Sequence, residues 1–209
     1  MPDLQFSALD IYLIVFLAAV WVWSAIRPVD RRNWIFDNIL VFIITPIGIF
    51  IKGTHPGLSD LTFALPVLYT ALHLLGAHYS YVQVPFGTKI GSWFSEARSN
   101  YDRVVHFSMG FLITYSLFDL LDLVLPIAKV WVYLFTFAII VAMAGIYEIY
   151  EWLAAETKIF GKGEPARFLG FQGDVWDTQK DIFVAAIGSA AVLAAIFLSQ
   201  ILAWKIFLV

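Results

Sequence analysis

The chain has 209 residues, of which 61% are hydrophobic and 14% charged, with a mean hydropathy of +0.81 and a net charge of −3. A soluble domain carries about 25% charged residues, so this composition excludes a water-soluble globule and leaves a multi-span membrane domain. The mildly acidic balance excludes a nucleic-acid-binding field, and the absence of cysteine excludes disulfides, thiolate metal sites and a cysteine nucleophile.

The N-terminus has no positive n-region and no small-residue cleavage site, so no removable signal peptide is expected. Six apolar runs are present, near 9–26, 34–51, 59–79, 103–125, 130–153 and 180–204. Each is about the ~20 residues that a helix needs to cross ~30 Å of hydrocarbon. The predicted architecture is all-α: one transmembrane domain over 1–209, a bundle of about six transmembrane helices. Trp21, Trp23, Trp34, Trp131, Trp152 and Trp204 fall near run ends, where an amphipathic indole prefers the interface. Pro46 and Pro66 fall inside runs and are expected to kink them. The long connections are 80–101 and 154–177; their Gly-rich turns contain no GxxxxGK[ST] phosphate loop.

Lysine and arginine set the expected orientation. Arg27, Arg31, Arg32, Lys89, Arg98, Arg103, Lys158, Lys162, Arg167 and Lys180 lie on one side, against Lys52, Lys129 and Lys205 on the other. The positive-inside rule places the first set in the cytoplasm and both termini outside it.

That orientation brings the ionisable residues of four runs to one level. The third run ends on His73 and His78, and the fourth begins with Asp102 and His106. The fifth ends with Glu148 and Glu151, and Asp174, Asp177 and Asp181 lead into the sixth. Charge at membrane depth is costly, so a gathering of it is a functional-site hypothesis by default. Asp102 and His106 share a helix face at i,i+4, as do Glu148 and Glu151 at i,i+3. Asp174, Asp177 and Asp181 form one stripe if the last helix extends that far back, and Gly188 continues it where a neighbouring helix can approach. His73 and His78 are about 140° apart around a helix, so one of them points elsewhere.

Carboxylates and imidazoles converging from several helices suit a metal. The expected ligands are His73, Asp102, His106, Glu148, Asp177 and Asp181. Mixed oxygen and nitrogen donors admit zinc, iron or manganese, and an all-oxygen subset prefers magnesium or calcium. Without a divalent metal, several acids in one place repel and some must bind protons. Glu148 and Glu151 are the candidate general bases for a metal-activated water. Arg103 and Arg167, with Arg98, are candidates for holding an anionic headgroup. No HExxH, ExxH or GxSxG motif is present. The competing expectation is a set of ion pairs and hydrogen bonds that hold helices together. Asp119 and Asp122 are expected at the opposite interface, and the Ala185, Ala186, Ser189, Ala190 and Ala194 series is expected to pack helices.

The blocks HLLGAHYSY (73–81), NYDRVVHFSMG (100–110), YEIYEW (147–152) and FLGFQGDVWDTQKD (168–181) resemble the YjdF family of bacterial inner-membrane proteins. The resemblance spans nearly the whole chain and implies a location and a fold more than a chemistry. A weaker likeness extends to the VanZ-like membrane family, linked to glycopeptide resistance. It rests on Asp102, Arg103 and His106, then Glu148, then Asp181 and Gly188, and implies a shared three-helix core over about 100–190. The chain departs from that pattern at Ala185, where an Asn is usual, and in its additional N-terminal spans.

Two functions are compatible with these residues. One is a metal-dependent hydrolase or transferase acting on a lipid-linked small molecule among the membrane lipids. The other is a non-enzymatic transporter or lipid-binding protein whose acids and histidines carry protons or ions. A transporter usually places its site near the midplane between repeats; this cluster lies near one interface and no repeat is evident, which favours the first.

Overall fold

The computed structural model describes residues 4–93, 98–157 and 174–206. Within them the chain forms α1 (Ala8–Ala25), α2 (Arg31–Thr54), α3 (Asp60–His78), a short α4 (Gly87–Trp93) and α5 (Tyr101–Ser108). A π-helical turn, Met109–Ile113, joins α5 to α6 (Thr114–Val124), and α7 (Lys129–Thr157) and α8 (Asp177–Ile206) complete the bundle. Taking α5, the π turn and α6 as one rod, six helices are long and apolar enough to cross a membrane. Their outer surfaces are lined by exposed Tyr12, Val15, Phe42, Ile43, Phe135, Phe197 and Leu198. Such a surface is a liability in water and the requirement in hydrocarbon.

Local chemistry starts the helices where the sequence provides caps. Ser7 Oγ accepts from Asp10 N–H at 3.1 Å and Asp10 Oδ2 accepts from Ser7 N–H at 2.9 Å, a reciprocal capping box on α1. Asp30 caps α2 through the N–H groups of Arg32 and Asn33, and Ser59 caps α3 through Thr62 N–H. α8 begins at Asp177, three residues before the expected start of the last span, because Asp174 Oδ1 accepts from Trp176 N–H at 3.1 Å and turns the chain into the helix. α2 and α3 continue through Pro46 and Pro66.

Two expected interfacial tryptophans serve the interior instead. Trp34 is buried and its Nε1 donates to Ser24 Oγ at 3.1 Å, while Trp21 Nε1 donates to Asn38 Oδ1 at 2.9 Å. These bonds pin α1 to α2 where each indole finds a partner for its one N–H. Trp131 and Trp152 are exposed, as an interface belt requires. At the other end of the bundle, Asp119 accepts from Ser59 N–H at 3.2 Å and from the Thr62 hydroxyl, tying α6 to the start of α3. Lys52 is buried there, 3.7 Å from both Asp10 and Asp60.

A close helix crossing joins the π turn to α8. A Cβ on Gly110 would lie 1.9 Å from the Ala185 carbonyl oxygen, and one on Gly188 would lie 2.6 Å from the Phe107 carbonyl oxygen. Thr114 Oγ1 donates to Ser189 Oγ at 2.8 Å beside that contact. Small residues give this approach its van der Waals contact where lipid supplies no hydrophobic drive. Ala185, Gly188 and Ser189 are buried in it, whereas Ala190 and Ala194 face outward, so only part of the expected packing series packs. An extra residue in the π turn rotates α5 about the rod axis relative to α6. It thereby sets which way the α5 residues Asp102 and His106 face.

Candidate functional site

The start of α5, the later part of α7 and the start of α8 meet at one end of the bundle, closed by the end of α3. Asp102, Asp177 and Asp181 each present a carboxylate oxygen there, and the three atoms lie within 4.8 Å of one another. Asp177 and Asp181 are buried, and one Asp181 oxygen, Oδ1, has no hydrogen-bond partner among the described residues.

His106, one turn beyond Asp102, is buried against the same group. Its Nε2 lies 3.2 Å from Glu148 Oε1 and 3.8 Å from Asp102 Oδ1. Thr178 Oγ1 donates to Glu148 Oε2 at 2.8 Å, so Glu148 joins α7 to α8 as well as to α5. Glu148 Oε1 and His106 Nδ1 are buried without a hydrogen-bond partner among the described residues. Glu151 is half-buried one turn beyond Glu148, within reach of the charges on Asp102, Glu148 and Asp181, but makes no hydrogen bond or ion pair in the cluster among the described residues.

Arginines border the acids. Arg98, buried just before α5, places Nη2 2.7 Å from Asp177 Oδ1 and Nη1 3.6 Å from Asp174 Oδ2. Arg103 Nη2 reaches Asp174 Oδ2 and lies 3.4 Å from Asp177 Oδ1, and Lys180 Nζ is 2.7 Å from Asp174 Oδ2. The Lys180 hydrogen bond leads, with help from Trp176 N–H and Arg103, in holding the Asp174 carboxyl down at about 2. Asp174 is therefore a permanent anion within a ring of cations.

The two histidines of α3 part company, as their angular separation requires. His78 stacks on Trp23, ring centroids 4.6 Å apart, and its Nδ1 is 3.0 Å from the Ser24 carbonyl oxygen, an α1–α3 contact. His73 faces the cluster but is fully engaged by protein. Burial raises the Tyr81 phenol well above its ordinary value, so Tyr81 keeps its proton and donates to His73 Nδ1 at 2.6 Å. That assigns the other nitrogen as N–H, and His73 Nε2 donates to the Asp37 carbonyl oxygen at 3.1 Å. Both ring nitrogens are thus used, and His73 stands as a wall of the site rather than among its donors. Between His73, His106, Tyr69, Tyr81, Tyr147 and Asp102 lies a cavity of about 10 Å³, room for about one water.

One member of the site was not singled out from the sequence. Asp37 of α2 is buried and close enough to Asp102 for their charges to interact; an acid inside a predicted span was the available signal. Arg98, a sequence candidate for an anionic headgroup, makes the short pair to Asp177. Arg167 and the block 168–173 lie outside the described residues.

The comparisons with known proteins agree with this architecture. No solved structure matches the chain. The inner membrane protein YjdF of Escherichia coli (strain K12) is 29% identical over 198 residues, covering 94% of this chain and 89% of that protein. This bears out the resemblance read from the four sequence blocks; the likeness to the VanZ-like family rests on the residues quoted for it alone. A family model described as "Predicted membrane protein (DUF2238)" matches residues 9–202, from the first span into the last. The protein is a multi-span membrane protein and belongs to the DUF2238 family.

Proposed function

We propose that this protein resides in a bacterial inner membrane with both termini outside the cytoplasm, and that its acid cluster at the cytoplasmic boundary binds a divalent cation and acts on a lipid-linked substrate. The observation that carries the reading is the convergence of Asp102, Asp177 and Asp181 within 4.8 Å, with a buried Asp181 oxygen that no described protein group satisfies. Three carboxylates in a desolvated place need counter-charge, of which Arg98 and Arg103 at Asp177 supply part, and the buried Asp181 oxygen needs a partner. The nearest donors are all oxygen, which favours magnesium or manganese over zinc, with His106 beside them, its Nδ1 without a hydrogen-bond partner among the described residues. A cation there would supply Lewis-acid polarisation of a bound oxygen or activation of a water. Glu148, with an oxygen that accepts no hydrogen bond among the described residues, is placed to take a proton, and His106 at 3.2 Å to receive it in turn. Glu151 is held in reserve one turn away.

The inner-membrane location rests on the name of the Escherichia coli relative and the orientation on the lysine and arginine split. A second reading, an ion-paired or proton-sharing network of structural or transport use, is favoured by one observation: Asp177, a member of the triad, is already paired with Arg98 at 2.7 Å. Elemental analysis of protein purified without chelator separates the readings. About one magnesium or manganese per chain supports the first, and metal-free protein that takes up none supports the second. Fusions test the orientation: an active C-terminal phosphatase and a dark C-terminal fluorescent protein are expected.

A further inference from the structure

The cations around Asp174 form a cradle built from three separate parts of the chain. Arg103 Nη2 and Lys180 Nζ both hydrogen-bond to Asp174 Oδ2, and Arg98 Nη1 lies 3.6 Å from the same oxygen. The three come from separate places: the segment before α5, the first turn of α5 and the first turn of α8. Arg98 and Arg103 also reach Asp177, at 2.7 and 3.4 Å, so the three cations border two carboxylates, and two planar guanidinium forks and an ammonium so placed match the several oxygens and charge of a phosphate. Asp174 also directly precedes the first turn of the 30-residue helix α8, so the positive end of its dipole faces the same spot.

Position puts the cradle at headgroup depth. The next residues, Val175 and Trp176, are 69% and 61% exposed, and Trp93 at the end of α4 is 71% exposed. Exposed indoles flanking a span start mark headgroup depth. Lys180 is 44% exposed, so the cradle opens outward, while Arg98 and Arg103 lead inward to Asp177 of the acid triad.

We propose that Arg98, Arg103 and Lys180 form the binding site for a phosphate group carried at the membrane surface, and that Asp174 fills this site until the phosphate displaces it. This deepens the reading of a lipid-linked substrate by naming its recognised group. It also places a bound phosphate next to Asp177, where the triad can reach it.

The test uses the full chain in phosphatidylcholine nanodiscs with chelator present, and titrates inorganic phosphate. Asp174→Asn keeps the acceptor for Trp176 N–H but removes the resident charge, and should bind phosphate about tenfold more tightly than wild type. Adding Lys180→Gln to that variant should cancel the gain. Glu156→Gln, which removes the same charge from an exposed site outside the cradle, should leave binding unchanged. Asp174→Asn binding no more tightly than wild type, or Glu156→Gln giving an equal gain, overturns the proposal. Nanodiscs containing phosphatidic acid then separate the sources. Extra thermal stabilisation of Asp174→Asn by that lipid identifies a lipid phosphate, and a response to free phosphate alone identifies a soluble one in the same cradle. Because chelator is present throughout, loss of the phosphate response condemns the cradle without touching the cation reading, and absence of bound metal condemns the cation reading without touching the cradle.

Discussion

His106 Nε2 lies 3.2 Å from Glu148 Oε1, and the other oxygen of Glu148 accepts from Thr178 at 2.8 Å. One carboxylate therefore ties α5, α7 and α8 together at the level of the acid triad. Glu148→Ala strands a buried imidazole and a hydroxyl, and should destabilise the protein by about 1–3 kcal/mol. Glu148→Gln keeps an acceptor for Thr178 and relieves a crowded set of acids, so it should stay within about 1 kcal/mol of wild type. Unfolding in detergent reads both; an Ala variant as stable as the Gln variant contradicts this role.

The crossing of the π turn over α8 gives a graded prediction. Gly110→Ala drives a methyl into the Ala185 backbone, and Gly188→Ala drives one into the backbone at Phe107. Each should cost about 1–3 kcal/mol or more. Gly145→Ala meets only Ile182 Cδ1 at 3.9 Å and Gly48→Ala meets nothing within 4 Å. In a helix interior these two should be neutral or stabilising by about 0.5–1 kcal/mol. Melting temperatures of the four variants check the order, and equal effects at Gly110 and Gly48 would show that the crossing is not close.

Asp174 gives a pH dependence with a definite sign. Its carboxyl sits at about 2 in the folded protein against an ordinary 3.8, chiefly through Lys180. A lowered value means that the unfolded chain binds the proton first, so the ion pairs contribute fully above about pH 4 and are lost as pH falls towards 2. Asp174→Asn should cost no more than about 1 kcal/mol at neutral pH, since Lys180 is half-exposed and screened. The gap between wild type and variant should be constant from about pH 5 to 8 and roughly halved near pH 3. A gap that changes between pH 5 and 8 assigns the titration to another group.

The fold was legible in the sequence because hydrocarbon tolerates so little charge. The six apolar runs fix the six spans, and the polar residues fix the shared level of Asp102, His106, Glu148, Asp177 and Asp181. Pairing was not legible. Whether an arginine near a span end is solvated, or buried on Asp177 like Arg98, depends on which helices adjoin, and no spacing rule encodes it. His73 could be placed near the cluster from its depth, but its engagement by Tyr81 and the Asp37 carbonyl comes from a loop and a helix distant in sequence. The π turn coincides with the contact of Gly110 with α8, a tertiary feature that the local pattern MGFLI does not encode. Trp34 and Trp21 sit at run ends, and only the structure reveals that they bond inward across α1 and α2.

If Asp102, Asp177 and Asp181 hold a divalent cation, melting with and without chelator reads it most directly. A cation bound only by the native state stabilises it by mass action, and acid releases it by protonating its ligands. Wild type in millimolar magnesium or manganese should therefore melt several degrees higher than with chelator, and the difference should disappear at low pH and in Asp181→Asn. A wild type whose melting is the same with metal and with chelator would contradict the cation reading and leave the cluster as an ion-paired network.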